Sequence, residues 1–565
     1  MNFSKFGARA SVALWLALSL TGAQTLSSAV AEQVMLGNYD PANYYPPGWA
    51  PKKMPYDGYH QEVLATLQSG IGTESLKNNL VTLTKFHNRN TGSDTLSNTL
   101  GMGATRRWLH AQFTELSQGA GNRMLPAYLT YTGAVCNVNS HRNTLVVMPG
   151  MDKSLKGIVL LMAHVDSRCE VDCDITCRAH GADDNASGSV LVLELARVLA
   201  RTPFNRTVVF MLTTGEEQGL SGARAFATYA KNKGILIHAV QNNDINGGIV
   251  CGTAPSPPGC TTPGSVDSTS MRVFSVGDFN SPHKGLARWV KLQYMEKAMP
   301  TQKVPMNIKL MLPEDRTGRG GDHIPFGAAG FTAIRLMAAN ENNRTQHTVN
   351  DSLIPQPAWW NHLARQTLIN GLGIAMAATG PAIPTPGIVS GSQGVVITMP
   401  NAAADAVFRV GIRTTNLDFD KVLTWTGPQF IVPDLKVGTP YSLSVTQVVS
   451  GVESLFSGET RVTPAVSGIY EAAGKDVVKP WRVRVSPAGA GKGAVVTVKS
   501  DRRKSGRAYI SVSDAKAREV YREEVELNAA TQEFVIPEGR IPRGAYTVSL
   551  TQGDEVLDGA HAFML

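Results

Sequence analysis

The fold is decided by residues 157–166, GIVLLMAHVD, in which a run of seven small and apolar residues leads into a His-x-Asp triplet. Residues 207–212 (TVVFML) and 332–337 (TAIRLM) are further short strand-like runs, and residues 189–199 (SVLVLELARVL) carry a helical pattern. Nearly continuous apolar strands separated by helices are typical of a sheet that is covered on both faces. The sequence therefore predicts an α/β domain with a mostly parallel central sheet and helices on both faces.

Polar side chains with metal-binding chemistry follow these strands. In an open α/β sheet, ligands bind in the crevice outside the carboxyl ends of the strands, so segments that end there can converge. Two histidines and three carboxylates suit two divalent cations, since one carboxylate can bridge ions about 3.5–4 Å apart. Taken singly each segment has an ordinary explanation, and either Asp183 or Asp184 could simply cap a helix. The segments are MAHVDS (162–167), GADDNASG (181–188), TGEEQGL (214–220), NDING (243–247) and QHTVND (346–351).

The N-terminus predicts export. Lys5 and Arg9 precede an apolar run of eleven residues, 10–20, and residues 29–31 (AVA) match a signal-peptidase site, so residues 1–31 are expected to be a cleaved signal peptide. That run is too short to span a bilayer, so we expect a secreted or periplasmic protein without a membrane span.

The six cysteines fit an oxidising compartment and favour disulfides. Cys251 and Cys260 flank a loop rich in proline and glycine and are expected to pair. The connectivity of the other four cysteines stays open.

The chain changes character at residues 379–387 (TGPAIPTPG), which are typical of a linker. The α/β domain is therefore assigned to residues 32–380, and short alternating strands follow. Residues 381–465 are expected to form a fibronectin type III-like sandwich, because Trp425 lies mid-segment and Tyr441 stands where that fold has its tyrosine corner. Residues 466–565 are expected to form a second all-β module.

The formal charge is +8, from 53 basic and 45 acidic residues. The excess is spread along the chain, and its densest patch is not interleaved with stacking aromatic residues, so nucleic acid is not the expected partner. The sequence does not indicate an oligomeric state.

Taken together, the motifs closely resemble the M28 family of zinc aminopeptidases, in particular its secreted bacterial leucyl-aminopeptidase-like group. The resemblance covers roughly residues 60–380 and implies two zinc ions and peptide substrates with a free N-terminus. It is carried by five motifs, which are His-x-Asp-Ser at 164–167, Gly-Ala-Asp-Asp-Asn-Ala-Ser-Gly at 181–188, Gly-Glu-Glu-x-Gly-Leu at 215–220, Asp-His-x-Pro-Phe at 322–326 and His-Thr-x-x-Asp at 347–351.

The resemblance also assigns roles to individual residues and implies a cis peptide bond at Asp183–Asp184. It leaves the oxyanion-stabilising group open, because some relatives have a tyrosine where this chain has Gln346. The implied roles are His164 and Asp244 on one zinc, Glu217 and His347 on the other, Asp183 as the bridge, Glu216 as the general base, and Asp166 as the residue that orients His164.

Other functions on this fold stay open. Glutaminyl cyclases resemble the family and share residues 322–326 but typically use a single zinc, so the presence of His164 and Asp166 favours a two-metal hydrolase. A metallocarboxypeptidase is not excluded. A non-catalytic binding protein is disfavoured, because the five ligands and the base are all present. No His-Glu-x-x-His or complete Gly-x-Ser-x-Gly motif occurs in the sequence.

Overall fold

A computed structural model describes residues 50–564, apart from residues 51, 53, 153, 156, 254–258, 353–356, 392–393, 465–480, 488–493, 501–505, 515–517, 529–530, 538, 543 and 553–554. The predicted signal peptide lies outside the described residues. None of the helices within those residues is long and apolar enough to cross a membrane.

An eight-stranded sheet forms the centre of the α/β domain, with strand order β1-β2-β4-β3-β5-β8-β6-β7. Strands β4, β3, β5 and β8 are mutually parallel and lie in the middle. The strands are β1 (Leu125–Val135), β2 (Val138–Met148), β3 (Ile158–His164), β4 (Thr207–Thr213), β5 (Ile237–Asn243), β6 (Ser270–Ser275), β7 (Asn307–Leu310) and β8 (Ala333–Ala338).

Both faces of this sheet are buried, as the continuous apolar runs predict. Successive side chains of β3 enter different cores: Val159 and Leu161 belong to one cluster, and Leu160 and Met162 to the other. This alternation is the period of two expected of a strand. The helices are α1 (Tyr59–Gly70), α2 (Thr73–Thr84), α3 (Gly101–Gly119), α4 (Gly188–Val198), α5 (Ser221–Lys233), α6 (Pro282–Gln293), α7 (His323–Ala329) and α8 (Pro357–Thr379).

The sheet is mixed, with a parallel centre and antiparallel pairings towards both edges. Strand β2 runs antiparallel to β1 and β4, and β6 runs antiparallel to β8. The β1–β2 hairpin turns through Cys136 and Asn137, whose φ angles are 46° and 64°. Two adjacent residues with positive φ are typical of a tight hairpin turn, which makes the pairing antiparallel.

Two antiparallel sheets follow the linker and share one hydrophobic core. Trp425 stacks on Phe408 and Phe430 in this core, and the main-chain N–H of Lys436 donates to the Tyr441 hydroxyl at 3.1 Å. The fibronectin type III assignment stays a prediction. The strands are β9 (Gly387–Gly391), β10 (Gly394–Thr398), β11 (Val407–Arg413), β12 (Lys421–Thr426), β13 (Gln429–Val432), β14 (Tyr441–Val449), β15 (Val452–Glu453) and β16 (Thr460–Val462).

This β-module belongs to the same compact unit as the α/β domain, a unit that ends at Gly468. The predicted boundary at 380/381 falls between α8 and β9, yet buried contacts cross it. The indole N–H of Trp289 on α6 donates to the carbonyl of Ser454 at 2.8 Å, and Arg288 pairs with Glu459 at 2.6 Å.

A second unit comprises Ile469–Leu565. It contains a three-stranded and a four-stranded antiparallel sheet whose buried residues form one core, in agreement with the predicted all-β character. Its strands are β17 (Trp481–Pro487), β18 (Ala494–Ser500), β19 (Gly506–Asp514), β20 (Glu519–Leu527), β21 (Thr531–Ile536), β22 (Gly544–Gln552) and β23 (Glu555–Met564).

The six cysteines form three disulfides. The predicted Cys251–Cys260 bond is present. The connectivity that the sequence left open is Cys136–Cys173 and Cys169–Cys177, so two bonds hold the segment that follows β3.

Candidate metal centre

His164 is the last residue of β3, and its side chain is 1% exposed. Its Nε2 atom lies 3.2 Å from Oδ1 of Asp184 and 3.4 Å from Oδ1 of Asp244, which follows β5. Burial alone would lower the pKa of His164, but the carboxylates around it raise that pKa well above its usual value. Each side chain comes from the carboxyl edge of the sheet, as the sequence predicts.

A second histidine completes the cluster from the other side. His347 Nε2 lies 2.9 Å from Oδ2 of Asp184 and 3.2 Å from Oε2 of Glu217. The two oxygens of Asp184 therefore face different imidazoles. Burial opposes ionisation of Asp184, but the two histidines beside it hold its pKa well below its usual value. Asp184 is the carboxylate that lies between the two imidazoles.

The resemblance implied Asp183 as the bridging carboxylate, but the structure places Asp183 elsewhere. Its Oδ1 accepts a hydrogen bond from the Gly247 amide at 3.1 Å, and it belongs to neither group of potential metal ligands found in the described residues. The cis peptide bond lies at Asp184–Asn185, one bond later than expected. Asp184 and Asn185 have non-helical φ and ψ angles within the short turn before α4. The spacing of residues in a regular helix therefore does not predict which of these side chains faces the site.

Glu216 and Glu217 follow β4 and Gly215, whose φ of 73° is a left-handed conformation that suits glycine. Glu217 contacts His347. Glu216 lies with His164 and Asp244 in one of the two groups of side chains that could hold a metal ion. The loss of surrounding water raises the pKa of Glu216 well above its usual value, and neighbouring carboxylates add to the effect. The two adjacent carboxylates therefore occupy different positions in the cluster.

Asp166 is fully buried, and two of its oxygens lie near the second ring nitrogen of His164. His164 Nδ1 lies 3.1 Å from the main-chain carbonyl of Asp166 and 3.6 Å from its Oδ1. The carboxylate also accepts hydrogen bonds from the main-chain amides of Glu216 and Glu217, at 3.4 and 3.2 Å. Asp166 thus orients the histidine through its backbone and the Glu-Glu turn through its side chain.

The chemistry of these atoms fits divalent cations. Four buried atoms of the cluster that could act as metal ligands have no hydrogen-bond partner within the described part of the chain, which is costly for polar atoms that a cation does not satisfy. Imidazole nitrogen and carboxylate oxygen are common zinc ligands. The four atoms are His164 Nε2, Asp184 Oδ1, Glu217 Oε1 and Asp244 Oδ1.

Two supporting residues were not identified from the sequence. Asp351 ends the His-Thr-x-x-Asp motif and accepts hydrogen bonds from the amides of Asp183 and Asp184, both at 2.9 Å. Arg335 is fully buried in β8, and its Nη2 lies 2.8 Å from Oδ2 of Asp244. The motif hinted at Asp351, whereas nothing in the run TAIRLM linked Arg335 to Asp244.

The cluster opens into a cavity of about 340 Å³. Arg168 forms part of its wall, with its guanidinium 2.9 Å from Glu217 Oε2 and 2.6 Å from His347 Nδ1. Gln346, at the position left open for oxyanion stabilisation, donates to Asp184 Oδ2 at 2.7 Å. The lining residues are Arg168, Asp184, Glu216, Glu217, Gly219, Leu220, Asp244, Arg316, Gly318, Arg319, Gly320 and His347.

A buried set of imidazoles and carboxylates at the carboxyl edge of a largely parallel sheet is typical of metal-dependent hydrolases. Comparison with known proteins gives the family. The Peptidase family M28 profile matches residues 143–254. A probable zinc metalloprotease of Pyrenophora tritici-repentis is 31% identical over 303 residues, which are 51% of this chain and 68% of the relative. The chain belongs to peptidase family M28.

Two other proteins illustrate the similarity. A probable zinc metalloprotease of Leptosphaeria maculans is 29% identical over 302 residues, covering 51% of this chain and 68% of the relative. The crystal structure of the LapA aminopeptidase of Legionella pneumophila has a TM-score of 0.44 at 20% identity, over 59% of this chain and 78% of that one.

Proposed function

We propose that this M28 chain is an exported aminopeptidase that uses two zinc ions to hydrolyse the first peptide bond of peptides with a free N-terminus. The observation that carries the proposal is Asp184, whose two oxygens lie 3.2 and 2.9 Å from the Nε2 atoms of His164 and His347. A carboxylate between two imidazoles is suited to bridge a pair of cations.

The proposed ligands divide into two sets around that bridge. His164 and Asp244 would hold one zinc, and Glu217 and His347 the other, with Asp184 shared. Zinc, when bound, lowers the pKa of a coordinated water towards about 7 and polarises a carbonyl oxygen. The remaining work belongs to the protein side chains.

Glu216 is the proposed general base. It lines the cavity and lies close to His164 and Asp244, whereas the neighbouring Glu217 contacts His347. It would accept a proton from the attacking water and pass it to the leaving amine. A carboxyl whose pKa is raised by burial is suited to hold a proton between these two transfers.

Export rests on the sequence of residues 1–31, and the three disulfides support it because such bonds persist in oxidising compartments. The mature protein is therefore proposed to act in the periplasm or outside the cell.

The test is hydrolysis of Leu-p-nitroanilide beside its N-acetylated form, before and after chelation and zinc restoration. We expect cleavage of the free-amine substrate alone, lost with the chelator and regained with zinc. Cleavage of neither substrate by the zinc-loaded protein would contradict the aminopeptidase proposal and favour cyclase or carboxypeptidase chemistry on the same fold.

A further inference from the structure

The walls of the cavity carry three arginines, although the site is expected to receive apolar residues. Among the described residues that line it, Leu220 is the one large apolar side chain, and three arginines stand beside it. Sites for apolar ligands are lined mainly by hydrophobic and aromatic side chains with few polar groups. The side chains around this centre are therefore better matched to a charged group than to an aliphatic one.

The charges of these arginines are not equally satisfied. Arg316 is buried and pairs with Glu341 and Asp315. Arg168 pairs with Glu217 at 2.9 Å and with the exposed Asp172 at 2.7 Å.

Arg319 is the exception. Its side chain is exposed, and no ion pair to it is found within the described part of the chain. The acidic groups that line the cavity are those assigned to zinc and to the general base, so they do not offset Arg319.

Arg319 projects from a turn that buried groups hold in place. The carbonyl of Gly320 accepts hydrogen bonds from Arg335 at 2.9 Å and Arg316 at 3.3 Å, and the amide of Arg319 donates to the carbonyl of Arg316 at 3.0 Å. Gly318 has a φ of 71°, which suits glycine in such a turn. The guanidinium is thus carried by an ordered backbone at the cavity wall.

We propose that Arg319 is a specificity-determining residue and that this site prefers peptides with a carboxylate close to the scissile bond. The carboxylate pairs with Arg319, and Arg168 adds positive charge on the wall because its pairing with the exposed Asp172 is weakened by solvent. The carboxylate has two possible sources, the free C-terminus of a short peptide and an acidic side chain. This inference rests on the proposed aminopeptidase function.

Matched substrate pairs test the preference and separate the two sources. Leu-Leu against Leu-Leu-amide changes the terminal carboxylate alone, and Leu-Glu-amide against Leu-Gln-amide changes the side chain alone. We expect kcat/KM to be about fivefold higher for the acidic member of one pair or both, and added salt to reduce the ratio.

Arg319→Gln should bring that ratio close to one, whereas Arg319→Lys should keep most of it. The control is Arg201→Gln, which removes an exposed arginine that precedes β4 at the opposite edge of the sheet and should leave the ratio unchanged. Thermal unfolding of each variant confirms that it folds.

The outcomes distinguish the two proposals. Metal-dependent cleavage of Leu-p-nitroanilide with equal rates in both pairs, or a preference that survives Arg319→Gln, overturns the role of Arg319 and leaves the aminopeptidase intact. Failure to cleave Leu-p-nitroanilide overturns the aminopeptidase itself and, with it, this inference.

Discussion

Arg335 places Nη2 2.8 Å from Oδ2 of Asp244, while the other oxygen of that carboxylate lies 3.4 Å from Nε2 of His164. One carboxylate is therefore shared between a buried cation on one side and the candidate metal position on the other. Burial opposes ionisation of Asp244, but Arg335 and His164 lower its pKa below its usual value. Arg335 also contacts both oxygens of Asp315 at 2.9 Å, which joins the metal centre to the turn that carries Arg319.

Arg335→Lys tests this support. Lysine keeps the charge but lacks the planar fork that serves Asp244 and Asp315 together. Loss of such an outer contact commonly weakens metal binding by about 10–100-fold, so we expect one zinc to bind more weakly and the other to bind as before. Calorimetric titration of the metal-free protein measures this, with Arg201→Lys as the control. Unchanged affinity for both ions would show that the pairing does not position Asp244.

The bridging assignment is tested by two neighbouring substitutions. Asp184→Asn removes the charge that faces both histidines, and we expect it to reduce bound zinc below two ions per chain. Asp183→Asn should retain both ions, because an amide oxygen can still accept from the Gly247 amide. Metal analysis after chelation and zinc restoration decides between them. Loss of zinc in Asp183→Asn alone would restore the original assignment of the bridge.

Glu216 and Glu217 form a second matched pair. Glu216→Gln should lower kcat by about 10²–10⁴-fold while leaving zinc content near two, because the proposed base is not a ligand. Glu217→Gln should weaken the zinc shared with His347, since Glu217 Oε2 lies 3.2 Å from that imidazole. Zinc content and turnover are measured on the same samples. Loss of metal in Glu216→Gln would make Glu216 a ligand.

These assignments show what the sequence could and could not predict. The segments that carry His164 and Glu217 were identifiable because they follow buried strands, and the ends of parallel strands meet at one edge of a sheet. The roles of the individual residues came from the resemblance to the family. The carboxylate that lies between the two histidines was misplaced by one residue, because Asp184 and Asn185 leave helical geometry within the turn before α4. In an irregular turn, the backbone angles determine which side chain faces the site, and the residue pattern does not reveal those angles.

Arg335 shows a second limit of prediction from the sequence. An arginine inside an apolar run suggests an exposed position, yet β8 is buried and the guanidinium is satisfied by Asp244 and Asp315, which come from separate segments of the chain. Long-range ion pairs leave no periodic signal. The sequence also contained no sign of the antiparallel edge of the sheet, since the turn through Cys136 and Asn137 lacks the usual glycine signal of a tight hairpin.

The β-module that follows the linker is predicted to stabilise the α/β domain. Glu459 lies 2.6 Å from Arg288 on α6 and 2.9 Å from Arg413 on β11, and all three side chains are buried. Glu459→Ala would leave two buried cations uncompensated, so we expect a loss of about 3–5 kcal/mol in the free energy of unfolding. Urea denaturation measures it.

The control for this loss is Asp434→Asn, which removes the charge of an exposed pair with Lys421 and should change stability little. Asparagine suits the positive φ of 62° at this position. Equal effects of Glu459→Ala and Asp434→Asn would mean that the buried pairs across the boundary contribute no special stability.

We expect His362 on α8 to make the free energy of unfolding depend on pH. Its side chain is fully buried between the carbonyl of Ser268, 2.8 Å from Nδ1, and the amide of Gln366, 2.7 Å from Nε2. Burial lowers its pKa to about 4, although the Ser268 carbonyl opposes the shift. The neutral ring suits both contacts, because Nδ1–H donates to the carbonyl and Nε2 accepts from the amide.

The direction in which pH changes the folding stability follows from this lowered pKa. The unfolded chain takes up a proton near pH 6.5 and the folded protein only near pH 4, so folding stability falls as pH decreases between these values. From pH 7 to pH 5 the loss due to this residue should be about 2 kcal/mol. His362→Gln, which cannot titrate, should therefore show a smaller decrease in the free energy of unfolding over this range when denaturation is measured at each pH. Equal pH slopes for His362→Gln and the parent protein would mean that the pKa of His362 is the same in the folded and unfolded states.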